Sequence, residues 1–423
     1  MASGPLNGIR ILEFTQIIAG PFACQNLADM GAEVIKVEPP EGEPWRIAQQ
    51  FMPGESKWFQ SLNRGKKSLV LSLTDERAQK VVHDLIPDID VVVINYRPDV
   101  GARLNIDYET LSAIRPDLIY VDNTAFGREG PWAHRPGYDI VVQAVTGLMA
   151  GEAKVTGDGS PEMMTSSPVT DYATGLAIAW ATTAALFHRE RTGEGQLVEA
   201  SLLATALSMQ GNTVMELPVA DAVMRTAMVE NLGKMRQDGA SYAELIAAHD
   251  PYGALRKMNI YYRPFTTANG ALAIGALSRG LREKVRASFE LDMPDPDDMD
   301  LTDPAVIGAA VQRVGEVEAL LKTKTTEQWM EIFDREGVPA GPINFSEDMS
   351  SDPQVVDNDF VVELDHDLAG PQTQVAPIVK FSRSPLEAQG SSPPLGRDTD
   401  AIVRSAGYSD QQLDELREAG VIA

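Results

Sequence analysis

Two hydrophobic periods alternate along the first third of the chain. Short runs rich in β-branched residues, at Gly8 to Phe14, Ala32 to Glu38, Ser68 to Leu73, Asp90 to Asn95 and Asp117 to Asp122, predict strands. Between them lie helix-like runs. One covers Pro21 to Met30, with proline near its start, where a missing N–H costs little. Another follows Thr74, which precedes Asp75-Glu76-Arg77 as a helix start, and runs to about Ile86. Strands alternating with helices predict an α/β fold, a parallel sheet covered on both faces. Ligands of such sheets gather at the carboxyl ends of the strands.

From Asp171 to Arg191 the pattern is apolar nearly all round, which predicts a buried helix. Arg189 and Arg191 suit its carboxyl end, and Gly193 can terminate it. Gln196 to Ser201 predicts another strand. The texture then changes. Residues 216–258 are polar and weakly patterned, Tyr261 to Phe265 and Ala271 to Ala276 predict a hairpin around Asn269-Gly270, and helical runs continue to about Glu336. Strand-like segments return at Phe360 to Leu364 and Val375 to Phe381. The expected organisation is a large domain from residues 1–215 and 345–423, with a smaller α+β domain at 216–344.

Charge narrows the partners. Thirty-six basic and 61 acidic residues give a net charge of −25, which sets aside nucleic acid and anionic membranes. No apolar run approaches the roughly 20 residues of a membrane-spanning helix. The start of the chain has no basic segment or apolar signal core, and Cys24 is the one cysteine, so a cytoplasmic protein without intrachain disulfides is expected. A phosphate-bearing ligand would need cations concentrated locally. Arg64-Gly-Lys66-Lys67 offers this, as does Arg97 with Arg103; both sets also fit scattered surface cations.

The turn after the first strand reads Thr15-Gln-Ile-Ile-Ala-Gly-Pro21, so the Gly-x-Gly-x-x-Gly dinucleotide fingerprint is missing. The chain has no phosphate-loop sequence or serine elbow, and its five histidines show no metal-ligand spacing. Cys24 sits in a predicted apolar helix and reads as core. Carboxylates remain. Asp171, at the start of the apolar helix, ordinarily reads as an N-cap. The same helix N–H groups would favour an ionised carboxylate, which makes Asp171 a candidate nucleophile toward an acyl thioester.

Seven motifs in order extend this reading. They are Leu6-x-Gly-Ile-Arg-Ile-Leu-Glu-Phe with Ala19-Gly-Pro21; Gly31-Ala-Glu-Val-Ile-Lys-Val-Glu-Pro39; Asn63-Arg-Gly-Lys-Lys-Ser68; Asn95-Tyr-Arg-Pro98 with Arg103; Arg135-Pro-Gly-Tyr-Asp139 with Gln143; Asp171-x-x-x-Gly175; and Arg191-Thr-Gly-x-Gly-Gln196. Together they resemble the class III CoA-transferases, the family of carnitine, bile-acid and formyl-CoA transferases. The resemblance implies a Rossmann-like large domain, a small domain, and two ring-like chains interlocked as a homodimer. It implies that Asp171 carries first the acyl group and then CoA. It places CoA contacts at Ile18, Ala19, Ser72, Leu73, Thr74, Asp75, Asn95, Tyr96, Arg97, Arg103, Pro136, Gly137, Tyr138 and Asp139, with no metal and no tightly bound cofactor. The substrates would be a CoA thioester and a carboxylic acid. Asp139 is equally a structural acid at a helix start.

Two departures qualify the resemblance. His249 to Pro264 has no glycine run where formyl-type relatives carry a glycine-rich loop, which counts against that gating and an oxalate/formate pair. Pro39 stands where some relatives place an arginine. Two rivals remain: an α-methylacyl-CoA racemase of the same fold, and a non-catalytic CoA-binding protein. The racemase places Gly-His-Asp where this chain has Gly137-Tyr138-Asp139, so the near-neutral acid/base is missing.

Overall fold

The computed structural model describes residues 4–250, 257–300 and 303–423. The chain divides into two compact units, residues 1–216 with 353–423, and residues 217–352.

The first unit is built on six parallel strands: β1 (Arg10–Phe14), β2 (Glu33–Glu38), β3 (Lys67–Val70), β4 (Val91–Ile94), β5 (Ile119–Thr124) and β6 (Gln196–Ser201). Their order is β3-β2-β1-β4-β5-β6. Helices cover both faces, so central strands such as Val91-Val-Val-Ile94 are buried throughout rather than alternating. Alternate residues of each strand feed opposite layers. On one face Leu12, Ile35, Val92 and Tyr120 meet Val81, Val82 and Leu85 of the helix Glu76–Leu85 and Ile402 and Leu413 from the C-terminal segment. On the other, Ile11, Val34, Val93 and Ile119 meet the first helix (Ala19–Asp29) and the long helix (Val169–Thr192). Cys24 is fully buried in this second layer, the core position its helix predicted.

Several expectations need correction. The helix Glu76–Leu85 is capped by Asp75, whose carboxylate accepts the Arg77 N–H, and not by Thr74. The long helix begins at Val169, two residues before Asp171, and it is not wholly buried: Leu176, Trp180 and Phe187 are 43, 66 and 63% exposed. These positions fall on one face, so composition overstated the burial of a helix that keeps an apolar stripe uncovered within one chain. Near the C-terminus a hairpin joins β10 (Val361–His366) to β11 (Gly370–Val375). Residues 376–381 form no strand; Pro377 interrupts them, and the pairing partner of β10 is the preceding alternating segment.

The basic stretch at residues 64–67 is consumed internally. Arg64 is buried with Asp29 at 2.6 Å, and Lys66 is buried with Glu13 at 2.9 Å. Lys67 pairs with Glu33 at the surface, 2.9 Å away. Lys36 adds contacts to Glu13 and Glu43, and Arg46 is held by Glu38 at 2.6 Å while stacking on Phe59. Buried charges persist only when paired this closely.

The second unit contains an antiparallel sheet, β7 (Tyr262–Thr266), β8 (Ala271–Gly275) and β9 (Ala340–Pro342). Leu272 and Ile274 of β8 face a core with Phe289, Trp329 and Phe333. The helices Arg279–Ser288, Pro304–Leu321 and Thr326–Glu336 build that core. Among the described residues, the weakly patterned region includes the helices Pro218–Met224, Thr226–Gln237 and Tyr242–Ala248. Within His249 to Pro264, the stretch without a glycine run, residues 251–256 lie outside the described residues. Among the described residues no helix is long and apolar enough to cross a membrane.

Candidate active site

The strand order reverses between β1 and β4, which opens a crevice at the carboxyl edge of the sheet. The segments singled out from sequence leave the sheet along that edge: Thr15 to Ile18 after β1, Ser72 to Asp75 after β3, Asn95 to Arg97 after β4, and the loop leading to Asp139 after β5. Asn95 ties the two sides of the crevice together. Its Oδ1 accepts the Gln16 N–H at 3.0 Å, and its Nδ2 donates to the Gln16 carbonyl at 2.9 Å.

Individual side chains divide into engaged and open ones. Ile18 and Ala19 are buried at the start of the first helix, which has no side-chain cap. The Ser72 N–H is taken by the Val421 carbonyl, and the Leu73 carbonyl accepts Nε2 of Gln79. Asp75 is committed to capping and to Arg77, whose hydrogen bonds hold its carboxyl down at about 2. Tyr96 packs against the core, and burial raises its phenol. Thr74, Pro136 and Tyr138 are exposed. Gly137 allows a close approach: a Cβ there would lie 2.7 Å from that of Ala125 and 2.8 Å from the Phe126 ring. Arg97 is exposed with Asp99 at 3.5 Å, and Arg103 is exposed at the end of the helix Pro98–Arg103 with no ion pair among the described residues.

Asp171 and Asp139 are brought into contact, with roles that differ from the simple cap. Asp139 Oδ1 accepts the Thr170 N–H at 2.8 Å, the Asp171 N–H at 3.3 Å and the Thr170 hydroxyl. Its Oδ2 accepts Nε2 of Gln143. Asp139 therefore satisfies the first turn of the long helix from outside, and its neighbours Thr170 and Gln143 complete the clamp. Sequence reasoning assigned these two no role, although the i,i+4 spacing of Asp139 and Gln143 was the available signal.

The Asp171 carboxylate is thus released from capping. It has no hydrogen-bond or ion-pair partner among the described residues, and the residue is 8% exposed. Burial, reinforced by the charge of Asp139, pushes its pKa up to about 7. The helix N–H groups expected to favour its ionised form are spent on Asp139 instead. Gly175, one turn along, does not leave open room either. A Cβ there would sit 2.8 Å from the Ala19 carbonyl oxygen and 2.9 Å from the Phe22 ring. It lets the long helix cross the first helix closely, one turn from Asp171. Phe22 and Tyr172 meet edge to face at 5.0 Å beside this crossing. They border a cleft of about 760 Å³ that also touches Asn26, Gln60 and Gln374, but Asp171 does not line it. Among the described residues there is no cluster of His, Cys, Asp and Glu suited to a metal.

Residues 6–399 match the sequence profile of CoA-transferase family III. Mouse succinyl-CoA:glutarate CoA-transferase is 32% identical over 99% of this chain and 90% of its own length. The formyl-CoA:oxalate CoA-transferase of Bradyrhizobium diazoefficiens is 31% identical over 99% of this chain and 97% of its own. Among solved structures, a CaiB/BaiF family protein from Brucella suis superposes with a TM-score of 0.72 and 28% identity, covering 96% of this chain and all of that one. The chain belongs to CoA-transferase family III.

Proposed function

We propose that this protein transfers CoA from an acyl-CoA thioester to a free carboxylic acid, with Asp171 as the covalent carrier. The observation that carries this reading is a buried carboxylate with no hydrogen-bond or ion-pair partner among the described residues, next to a second aspartate that does the structural work. A carboxyl poised at about 7 is ionised in a substantial fraction near neutrality and is poorly solvated, which favours nucleophilic attack.

In the proposed cycle an Asp171 carboxylate oxygen attacks the thioester carbonyl carbon and CoA thiolate leaves, forming an acyl–aspartyl anhydride. The thiolate then attacks the aspartyl carbonyl, releasing the donor acid and leaving an aspartyl-CoA thioester. The acceptor carboxylate displaces CoA from that thioester as a new mixed anhydride. Thiolate attack on the acceptor's acyl carbon gives the product thioester and frees Asp171. CoA would lie along the carboxyl edge. There the Ile18–Ala19, Ser72–Asp75, Asn95–Arg97 and Pro136–Asp139 segments offer backbone and side-chain contacts, and Arg97 and Arg103 offer charge to its phosphates.

Trapping tests the reading. Incubation with CoA thioesters, beginning with succinyl-CoA because a relative bears that substrate in its name, followed by hydroxylamine, should convert Asp171 to a hydroxamate seen by peptide mass spectrometry. Asp171→Ala should lose the adduct. Deuterium entry at the α-carbon without carboxylate-dependent CoA exchange would support racemase chemistry instead, and tight CoA binding with neither activity would support a binding protein.

A second copy of the chain is the proposed partner. The uncovered stripe Leu176, Trp180 and Phe187 supports it, because an exposed apolar face of this kind marks an interaction surface.

A further inference from the structure

Ile17 lies in the turn between β1 and the first helix with φ of +72°. A β-branched residue in the left-handed region is a genuine outlier, since its Cβ crowds the following carbonyl. Such a conformation persists only where its surroundings over-determine it. Here the backbone leading into it is gripped. Lys36 Nζ donates to the Thr15 carbonyl at 2.8 Å, and Asn95 holds both the N–H and the carbonyl of Gln16. The Ile17 N–H donates to Glu43 Oε2 at 2.8 Å. The other oxygen of Glu43 faces Lys36 Nζ at 3.2 Å, and Lys36 in turn contacts Glu13. Lys36, Glu13 and Glu43 are all buried.

This turn delivers Ile18 and Ala19 to the crossing where the Ala19 carbonyl faces Gly175, one turn from Asp171. A residue held in a costly conformation by buried charge, in the turn that leads into this crossing, does more than fill the core. We propose that Glu43 is a positioning residue for the transfer reaction: its carboxylate holds Ile17 left-handed and so fixes the Gln16–Ala19 turn against Asp171. The inference deepens the Asp171 reading and rests on it. Glu43 is buried and acts through the turn. Its second contact, to Lys36, is the ordinary pairing of a buried cation and is separable from the first.

The separation supplies the test. Glycine adopts positive φ without the steric cost that isoleucine meets. In Glu43→Ala, kcat should fall about tenfold or more, because small misplacements near reacting atoms are amplified in rate. Adding Ile17→Gly should recover much of that loss relative to Ile17→Gly alone, since the turn no longer needs a clamp. Glu43→Asp covers the case in which the alanine variant does not fold. It keeps a charge for Lys36 but withdraws the oxygen from Ile17, so kcat should fall with little change in melting temperature, and Ile17→Gly should again restore it.

Turnover and the hydroxamate adduct are measured together on each variant. Recovery by Ile17→Gly in either background, beyond the product of the single effects, is the expected result. Strictly multiplicative effects, with the wild-type adduct present, would overturn the positioning role and leave Asp171 as the carrier. Absence of the adduct in wild type with turnover intact would overturn the Asp171 reading, and this inference with it.

Discussion

At the scale of single residues the proposed chemistry turns on two aspartates with divided tasks. Asp139 accepts the N–H groups at the head of the long helix, and Asp171 is left with a carboxylate that burial and its neighbour hold near neutrality. The pH dependence follows with a definite sign. If the ionised form is the nucleophile, kcat/KM for the CoA thioester should rise with pH through about 7 and then level. Stability should move the other way. The folded carboxyl keeps a proton that the unfolded chain releases near its ordinary value of 3.8, so this group's contribution falls between roughly pH 4 and 7. Above that window the cost is on the order of 4 kcal/mol. Asp171→Asn should therefore be more stable than wild type at about pH 8 and no different near pH 4, as measured by urea unfolding. Parallel stability curves would reject the assignment. Little of this division was legible in the sequence. An aspartate at a helix start reads as a cap, and its displacement from that task depends on Asp139, 32 residues away in the chain.

The cations at the surface of the crevice are also a residue-level matter. Arg97 and Arg103 are both open, and the molecule around them is strongly acidic. Replacing both with alanine should raise KM for the CoA thioester about tenfold or more while kcat changes little, with the difference shrinking at high salt. An equal fall in kcat and kcat/KM would instead place them in the chemical step.

At the scale of elements, the crossing of the first and long helices positions the carboxylate, and Gly175 is what permits it. Gly175→Ala would put a methyl against a backbone oxygen and an aromatic ring, neither of which is a flexible chain end. A destabilisation of about 1–3 kcal/mol is expected, with activity falling more than stability because the long helix must tilt away from Ala19. Wild-type turnover at a stability reduced by that amount would contradict this account. Elements were the most legible level. Five of the six parallel strands were readable from short apolar runs between turn signals, and the sixth from Gln196 to Ser201. Their buried faces leave little else for Val, Ile and Leu in that pattern to form. The failures share one cause, which is that tertiary surroundings decide what local pattern leaves open. The helices between residues 218 and 248 bury few side chains and so carry weak periodicity. The Arg64–Lys67 stretch looked like a surface patch because its acidic partners, Asp29, Glu13 and Glu33, are distant in sequence.

At the scale of the whole molecule, the sheet order fixes the crevice, and the crevice gathers segments that are scattered over some 120 residues of sequence. The family was readable because those segments occur in a set order, whereas the geometry that joins them was not. The apolar stripe of the long helix is the second large-scale feature. Light scattering of the purified protein should give a mass of two chains, and Trp180→Glu should shift it toward one. A single-chain mass for the wild type would leave the stripe needing another cover.

The division of labour between Asp139 and Asp171 has an evolutionary side. Because the cap belongs to Asp139, removing the reactive carboxyl breaks no helix contact and relieves a buried charge. Selection for stability alone would therefore erase the proposed nucleophile while keeping the fold and its carboxyl-edge crevice. On the proposed function, a lineage of this chain that lost its catalytic demand should drift first at residue 171, leaving a well-folded protein that would still hold CoA and could no longer pass it on.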